Sequence, residues 1–316
     1  MTIDFASVRG VRVGQSETPD GSSGVTAVLF DRATPTVVDV RGGASATYDT
    51  ASLSLDATFG RRWAVFFAGG SLYGLDAARG IRTRILGSGG GTSAFRNPNP
   101  VVPISGAALF DLPRRSGPIP DYLPLGYEAA SRAGRGPVSV GAVGAGAGAT
   151  VGKYLGRHRA MRGGLGAAAA RLPRRGAVGV LVVVNAVGGI RDPSSGRWLA
   201  GARGARGTIA PPRPVHRPRD REGGTTLALV VTDLEVERPA LARVAAMTHT
   251  GLAAAIVPFH SSTDGDVVFA SATGAAGSPP VERRPGEIAD RLGHAAAELA
   301  GSAVRTAVRV ANARRR

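Results

Sequence analysis

The chain contains no cysteine. Disulfide frameworks, thiolate nucleophiles and cysteine-based metal sites are therefore excluded, and a reducing compartment is the natural setting. Long hydrophobic runs are also missing, because the longest ones, such as VGVLVVV at 178–184, have only the length of a strand. The first residues, MTIDFASVRGVRVG, lack the basic and then apolar layout of a signal peptide. We expect a soluble, cytoplasmic protein without a membrane partner.

Lysine and aromatic residues are scarce as well. The 39 lysine and arginine residues include a single lysine, Lys153, and aromatic residues make up 5% of the chain. The formal net charge of +16 raises nucleic acid as a partner, because basic side chains neutralise phosphates. The arginines are spread along the chain, however, and few aromatic residues lie among them to stack on bases. A solvated basic surface is the favoured interpretation, and nucleic-acid binding is not expected.

What the chain does have is an alternation of strand-like and helix-like segments. Apolar residues at helical spacing predict a helix over 71–86 with Ser71 as its cap. The nearly all-apolar segment 177–189 predicts a central strand covered on both faces. An amphipathic pattern predicts a helix over roughly 285–313. β-Branched runs bounded by turn residues predict further strands at 11–14, 24–30, 36–43 and 63–70.

These elements favour one α/β domain over residues 1–316. An αββα sandwich, in which two sheets pack face to face with helices outside, accommodates both the central strands and the long helices. The segment 201–224 differs in kind, since it is rich in Arg and Pro and has neither periodicity nor hydrophobic content. It is predicted to be a mobile surface segment.

Two kinds of ligand site fail on inspection. The glycine-rich segment 141–153 does not fit a Walker loop, because Ala147 stands where the first glycine is needed and Tyr154 follows Lys153. The histidines offer no metal set: His249 lies in a helical stretch, His260 lies just beyond it, and no HExxH spacing occurs. We expect neither a metal nor an organic cofactor, and we interpret the glycines as close backbone packing that frames a pocket.

Polar residues at strand ends are the candidates for chemistry. Asp264-Gly265-Asp266 precedes the strand-like VVFASATG, where it is either a turn or a pair of carboxylates with a chemical task. Asn185 ends the apolar run VLVVV, so its amide must find hydrogen-bond partners inside the protein. It is either a satisfied core residue or a donor aimed at a developing oxyanion.

The stretch REGGTTLALVVTD at 221–233 passes abruptly from loop to buried strand. A threonine with a free α-amine supplies both nucleophile and base, because such an amine titrates at about 7.7–8.0. To free the amine, Thr225 Oγ would attack the Gly224 carbonyl, and water would release two chains. Glycine before this bond tolerates the distorted backbone that the attack needs. The alternative from these residues alone is a flexible loop that enters a strand.

Taken together and in order, several stretches resemble the DmpA-type aminopeptidase family, self-processing hydrolases related in fold to ornithine acetyltransferases. The resemblance covers nearly the whole chain, and the order of the motifs makes it specific. The stretches are VRVG (11–14), GVTAVLF (24–30), DVRGGA (39–44), FAGGSLYGLDAARGI (67–81), VPISGAALFDL (102–112), VGAGAGATVGK (143–153), GGLGAAA (163–169), VLVVVNAVG (180–188), TTLALVVTD (225–233), MTHTGLAAAIVPFH (247–260) and DGDVVFASATG (264–274).

The resemblance implies an αββα sandwich cut between Gly224 and Thr225 into two associated chains, 1–224 and 225–316. Thr225 becomes the amino-terminal nucleophile, and Asn185 steadies the oxyanion. Asp264 and Asp266 match a segment where the family places hydroxyl or carboxylate groups near the nucleophile. Many relatives have Asn before the nucleophile, where this chain has Gly224, although glycine also occurs there.

The same resemblance implies an aminopeptidase that acts on short peptides or peptide-like amides, without a cofactor, and that forms a homo-oligomer. Two alternatives stay open. One is acyl transfer to an amine acceptor, as in the ornithine acetyltransferases, which shares the first half-reaction. The other is an uncleaved, basic binding protein in which Thr225 has no catalytic role.

Overall fold

Strands outnumber helices in the computed structural model, which describes residues 2–93, 98–112, 118–212, 223–282 and 284–313. The α-helices are α1 (Ala77–Gly87), α2 (Tyr122–Ser131), α3 (Arg238–Ala255) and α4 (Glu287–Ala311). The strands are β1 (Thr2–Ile3), β2 (Val11–Glu17), β3 (Gly24–Val40), β4 (Ala46–Tyr48), β5 (Arg61–Ala68), β6 (Ile104–Ala108), β7 (Thr150–Val151), β8 (Met161–Arg162), β9 (Gly164–Arg171), β10 (Ala177–Asn185), β11 (Gly189–Arg191), β12 (Trp198–Ala200), β13 (Ala202–Arg203), β14 (Ile209–Ala210), β15 (Thr225–Leu234), β16 (Ile256–Val257) and β17 (Val267–Gly277). Of the described helices, none has the length and apolar character needed to cross a membrane.

One hydrogen-bonded path connects ten strands and forms the two main sheets. Its order is β1-β9-β10-β15-β17-β3-β5-β6-β4, with β2 paired to β3. Strand β3 takes part in both sheets, because residues 36–40 pair with β17 and residues 25–29 pair with β5. The register between β3 and β5 shifts between Leu29 and Thr34. Such an irregularity bends a strand, and here the bend carries β3 from one sheet to the other.

Three apolar layers hold the sheets and helices together. Alternate residues of β15 enter different layers: Leu227 and Leu229 belong to the layer between the sheets, and Ala228 and Val230 to the layer under α3 and α4. A third layer packs α1 and α2 on the second sheet. All nine residues of β10 are buried, which confirms the predicted strand covered on both faces. The arrangement is the αββα sandwich that the sequence predicts.

The predicted helix at 71–86 starts later than expected. Residues Ser71–Asp76 form a 3-10 helix, and the α-helix begins only at Ala77. Ser71 does not cap it, because its φ of 55° lies in the left-handed region and the 3-10 helix begins after Gly70. The predicted amphipathic helix near the end of the chain is confirmed as α4.

The segment 201–224 is not irregular throughout. Strand β13 pairs with β14 through Ala202↔Ala210, and Ala160 adds an isolated bridge to Ala202. Residues 213–222, the centre of the predicted mobile segment, lie outside the described residues. The chain is described again from Gly223, and Gly224 forms a parallel bridge with Asp264.

Candidate active site

Three strand ends bring the candidate residues together at one end of the strands β10, β15 and β17. Strand β15 runs antiparallel to β10 and pairs Thr225, its first residue, with Asn185, the last residue of β10. It runs parallel to β17, with Leu227 opposite Val267. The Asp264-Gly265-Asp266 turn, which leads into β17, therefore lies beside Thr225. All four polar candidates are buried, with no more than 3% of each exposed.

The peptide bond between Gly224 and Thr225 is held on both sides. Gly224 N–H donates to the Thr263 carbonyl at 3.1 Å, and Gly265 N–H donates to the Gly224 carbonyl oxygen at 2.9 Å. Thr225 Oγ1 donates to the same carbonyl oxygen at 2.5 Å. The hydroxyl thus lies against the carbonyl group that it would attack, and the Gly265 amide already polarises that group.

Glycine at position 224 is required by close contacts. A Cβ atom there would lie 2.2 Å from Asp264 Oδ1 and 2.4 Å from Val187 N. No side chain fits at such distances without movement of the Asp264 turn. The space that a side chain at position 224 would need is filled by Asp264 and Val187.

The two carboxylates of the turn make different contacts. Asp264 Oδ2 accepts from Ser261 N at 3.0 Å and Ser261 Oγ at 2.6 Å, and Oδ1 accepts from Val187 N at 3.3 Å. Asp266 Oδ1 accepts from Thr226 N at 2.7 Å, the amide next to the candidate nucleophile. Burial, and to a smaller extent the nearby Asp264 carboxylate, raises the pKa of Asp266.

A histidine partners Asp266. His260 Nδ1 lies 2.8 Å from Asp266 Oδ2, and the His260 backbone N–H donates to the same oxygen at 3.2 Å. Hydrogen bonding to His260 lowers the pKa of Asp266 and so opposes the effect of burial. Sequence reasoning left His260 as a structural or surface residue, because the pairing depends on a turn whose course the sequence does not reveal.

Asn185 is fixed by Lys153, the one lysine of the chain. Lys153 Nζ donates to Asn185 Oδ1 at 2.9 Å and to Asn185 O at 2.5 Å, and Thr150 N donates to Oδ1 at 2.9 Å. These donors fix the amide orientation, so that Nδ2 donates to the Phe110 carbonyl at 3.1 Å. An amide nitrogen carries two hydrogens, and one of them is bound by the Phe110 carbonyl.

Sequence reasoning missed the role of Lys153. Lysine is only 2% exposed here, although it is a residue type that is almost never fully buried without a partner. The signal that could have found it is compositional: a chain that uses arginine as its solubilising charge keeps one lysine. That lysine sits in the glycine-rich segment that was tested only as a phosphate loop.

A cavity lies at the other end of β15, beside Glu235. Its volume is about 1650 Å³, and residues 235–240, directly after β15, form part of its wall. Arg62 and Arg238 also line it. None of the candidate catalytic residues lies in its wall. Within the described ranges, no group of three or more His, Asp or Glu side chains could hold a metal ion.

Comparison with known proteins places this chain in a family. The model of peptidase family S58 matches residues 4–315. An uncharacterised aminopeptidase of Mycobacterium tuberculosis (strain H37Rv) is 36% identical over 325 residues, covering 95% of this chain and 92% of the relative. A 6-aminohexanoate-oligomer endohydrolase of Kocuria sp. is 30% identical over 274 residues, covering 84% of this chain and 73% of that protein.

Solved structures share the fold. The L-aminopeptidase D-Ala-esterase/amidase of Ochrobactrum anthropi, described as a variant of the Ntn hydrolase fold, superposes with a TM-score of 0.67 at 20% identity, over 96% of this chain and 85% of that chain. A Burkholderia sp. beta-aminopeptidase gives a TM-score of 0.65 at 20% identity, over the same shares. The family match and the relatives confirm the resemblance drawn from the ordered motifs, and the chain belongs to peptidase family S58.

Proposed function

We propose that this protein is a self-processing amide hydrolase of the aminopeptidase type, with Thr225 as its amino-terminal nucleophile. The observation that carries the proposal is the contact of Thr225 Oγ1 with the Gly224 carbonyl, which the Gly265 amide also holds. A buried hydroxyl against a polarised carbonyl at the start of a rigid strand is the arrangement that self-cleavage needs.

Self-processing begins when Thr225 Oγ attacks the Gly224 carbonyl carbon. The negative charge that develops on the carbonyl oxygen is stabilised by Gly265 N–H. The C–N bond breaks, the Thr225 nitrogen takes a proton and becomes an α-amine, and Gly224 is left as an ester on Oγ. Water then hydrolyses the ester. The products are chain 1–224, which ends in the Gly224 carboxylate, and chain 225–316, which begins with Thr225.

Turnover uses the same hydroxyl on an external amide. The Thr225 α-amine takes the Oγ proton as Oγ attacks the substrate carbonyl, and it returns that proton to the departing amine. Asn185 Nδ2, oriented by Lys153, donates to the oxyanion. Water then attacks the acyl-enzyme with the α-amine again as base. Asp264 and Asp266 act beside the nucleophile, where their negative charge stabilises the ammonium form of Thr225.

The substrate class is a short peptide or a peptide-like amide. The names of the relatives support this class, because they cover aminopeptidases, a beta-aminopeptidase and a hydrolase of 6-aminohexanoate oligomers. Membership of a peptidase family favours hydrolysis over acyl transfer to an amine. We further propose that chains 1–224 and 225–316 stay associated in one domain, that the protein forms a homo-oligomer, and that it works in the cytoplasm.

The decisive experiment is a denaturing gel of the purified protein, followed by amino-terminal sequencing of any smaller fragment. A fragment beginning TTLALVV supports the proposal, whereas an intact chain that persists after prolonged incubation contradicts it. The cut protein is then assayed with L-alanine p-nitroanilide, β-alanine p-nitroanilide and 6-aminohexanoate oligomers. Release of p-nitroaniline or of 6-aminohexanoate identifies the substrate class, and hydroxylamine as acceptor measures acyl transfer.

A further inference from the structure

His260 occupies an unusual position beside the candidate site. Its φ is 60°, in the left-handed region where a residue other than glycine is uncommon. Its ring stacks on Phe259 with 3.9 Å between centroids and receives the edge of His249 at 4.8 Å. A strained backbone and two aromatic contacts thus fix one ring orientation, with Nδ1 toward Asp266 Oδ2.

The protonation of this ring follows from its partners. Asp266 accepts from two backbone N–H groups, those of Thr226 and His260, as an ionised carboxylate does. Opposite an ionised carboxylate, which only accepts, Nδ1 of His260 carries the hydrogen. Nε2 of His260 is buried and has no hydrogen-bond partner among the described residues. The structure therefore assigns the ring one task, which is to donate from Nδ1 to Asp266.

From these contacts we infer that His260 is a positioning residue of the proposed reaction: it holds the Asp266 carboxylate in place, as an anion, beside the amine of Thr225. The inference rests on the proposed function of Thr225. Asp266 Oδ1 accepts from Thr226 N at 2.7 Å. Because neighbouring backbone nitrogens are at most about 3.6 Å apart, the Thr225 amine lies within about 6 Å of this carboxylate.

The charges around Asp266 fix the direction of the effect. Burial of His249 lowers its pKa to about 4, so this ring is neutral at neutral pH and adds no positive charge. Burial and Asp264 raise the pKa of Asp266, and the His260 hydrogen bond lowers it. Without that bond the pKa of Asp266 rises further. The ionisable groups of the surrounding elements are Asp264, His260, His249, Asp39 and Arg41.

The ionisation of Asp266 should affect the acid side of the pH profile. The anionic form of Asp266 stabilises the ammonium that Thr225 forms when its amine takes the Oγ proton. The base of the reaction is the Thr225 amine, so the acid limb of the profile reports the pKa of that amine. The Asp266 anion raises this pKa, and loss of the anion therefore moves the acid limb to lower pH.

Two substitutions at one position separate the hydrogen bond from the backbone. His260→Asn places an amide N–H near the position of Nδ1, and Asn tolerates a positive φ. His260→Gly tolerates the same φ but supplies no donor. We expect His260→Gly to move the acid limb of kcat/KM down by about one pH unit, because the amine beside a neutral Asp266 is a weaker base, and to lower kcat more than it raises KM. His260→Asn should restore the acid limb toward its wild-type position.

The profiles are measured on the self-cleaved enzymes with whichever of the two alanine p-nitroanilides is hydrolysed faster. An acid limb that is the same in wild type and His260→Gly overturns the inference, and so does an equal shift in both variants. These outcomes leave the proposed function standing, since that is contradicted by a wild-type chain that stays intact or by cleavage and hydrolysis that survive in Thr225→Ala.

A second measurement needs neither the His260 variants nor a substrate. In the uncut Thr225→Ala protein with 15N-labelled histidine, the ring nitrogens of His260 report which one is protonated. The inference requires hydrogen on Nδ1 over the neutral pH range. A His260 ring that carries hydrogen only on Nε2 contradicts it.

Discussion

The polar groups near the two ends of strand β15 differ in their partners. At the Leu234 end, Arg62 is 1% exposed, and its guanidinium donates to Ser105 Oγ at 2.6 Å and to the Phe59 carbonyl at 3.0 Å. Arg238 donates in the same way to the Ala57 carbonyl at 3.0 Å. At the Thr225 end two carboxylates, the Asn185 amide and the Lys153 ammonium are buried around one peptide bond.

The difference separates polar groups that hold the fold from those that we propose to serve a reaction. The two arginines fasten a loop to the sheet through backbone carbonyls, and Arg62 also contacts Ser105 Oγ and the Asp49 carboxylate. Burial, and to a smaller extent the neighbouring Asp264 carboxylate, raises the pKa of Asp266, which is an arrangement that lowers stability. The cavity of about 1650 Å³ lies at the arginine end. The volume of this cavity is therefore no guide to the candidate catalytic residues, which lie at the other end of β15.

The largest effect is expected from Thr225→Ala, which removes the nucleophile of both steps. The protein should remain one chain of 32.1 kDa on a denaturing gel. Hydrolysis should fall by at least about 10⁴-fold, as it does when a catalytic nucleophile is lost. Thr226→Val is the matched control, because the Thr226 hydroxyl is buried without a hydrogen-bond partner among the described residues. An equal loss of hydrolysis in both variants would contradict the assignment of Thr225, rather than Thr226, as the nucleophile.

The second-largest effect is expected from Gly224→Ala, which should slow self-cleavage. The added Cβ meets Asp264 Oδ1 and Val187 N, so the peptide bond must move away from the Gly265 amide. We expect the rate of self-cleavage, followed by gel after rapid purification, to fall by about 100-fold. Gly223→Ala is the control, because a Cβ there has only Thr263 O nearby, at 3.6 Å. Normal cleavage of Gly224→Ala would show that the uncut geometry is not the reactive one.

Lys153→Met tests the support of the oxyanion donor. The substitution keeps an unbranched apolar side chain and removes the ammonium group that fixes Asn185 Oδ1. We expect kcat of the cut enzyme to fall by about 10–100-fold, as for other residues that orient a catalytic group, with a smaller change in KM. Steady-state kinetics on the p-nitroanilide substrate measure both constants. A lower KM with unchanged kcat would instead place Lys153 in substrate binding.

Arg62→Met should have the smallest effect on catalysis and a clear effect on stability. Its loss removes the donor to Ser105 Oγ and the cation paired with Asp49, and we expect the free energy of unfolding to fall by about 3 kcal/mol. Because the site lies at the far end of β15, kcat/KM should stay within roughly twofold of wild type. Thermal denaturation measures the loss of stability, and kinetics on the same sample measure kcat/KM. A large loss of kcat/KM in the folded variant would mean that the two ends are coupled.

Much of the architecture followed from local patterns, and much of the site did not. The all-apolar run that became β10 and the amphipathic run that became α4 report burial directly, because hydrophobic periodicity reflects which face is covered. The pairing of Thr225 with Asn185 depends on strand register, which no local pattern contains. The candidates were identified through ordered resemblance to a family. Lys153 and His260 were missed because their contacts arise only when a glycine loop and a turn fold against the strand ends.

The order of strands gives the proposed cut a consequence for folding. Strands β15 and β17 lie side by side between β10 and β3. After a cut at Gly224, the inner pair belongs to one polypeptide and the outer pair to the other. Refolding of the cut protein then becomes a second-order reaction whose rate depends on concentration, whereas the uncut chain folds in a first-order process. With the proposed cut, the covalent chain would be a template for its own assembly, and the cut protein would persist by slow unfolding rather than by reversible reassembly.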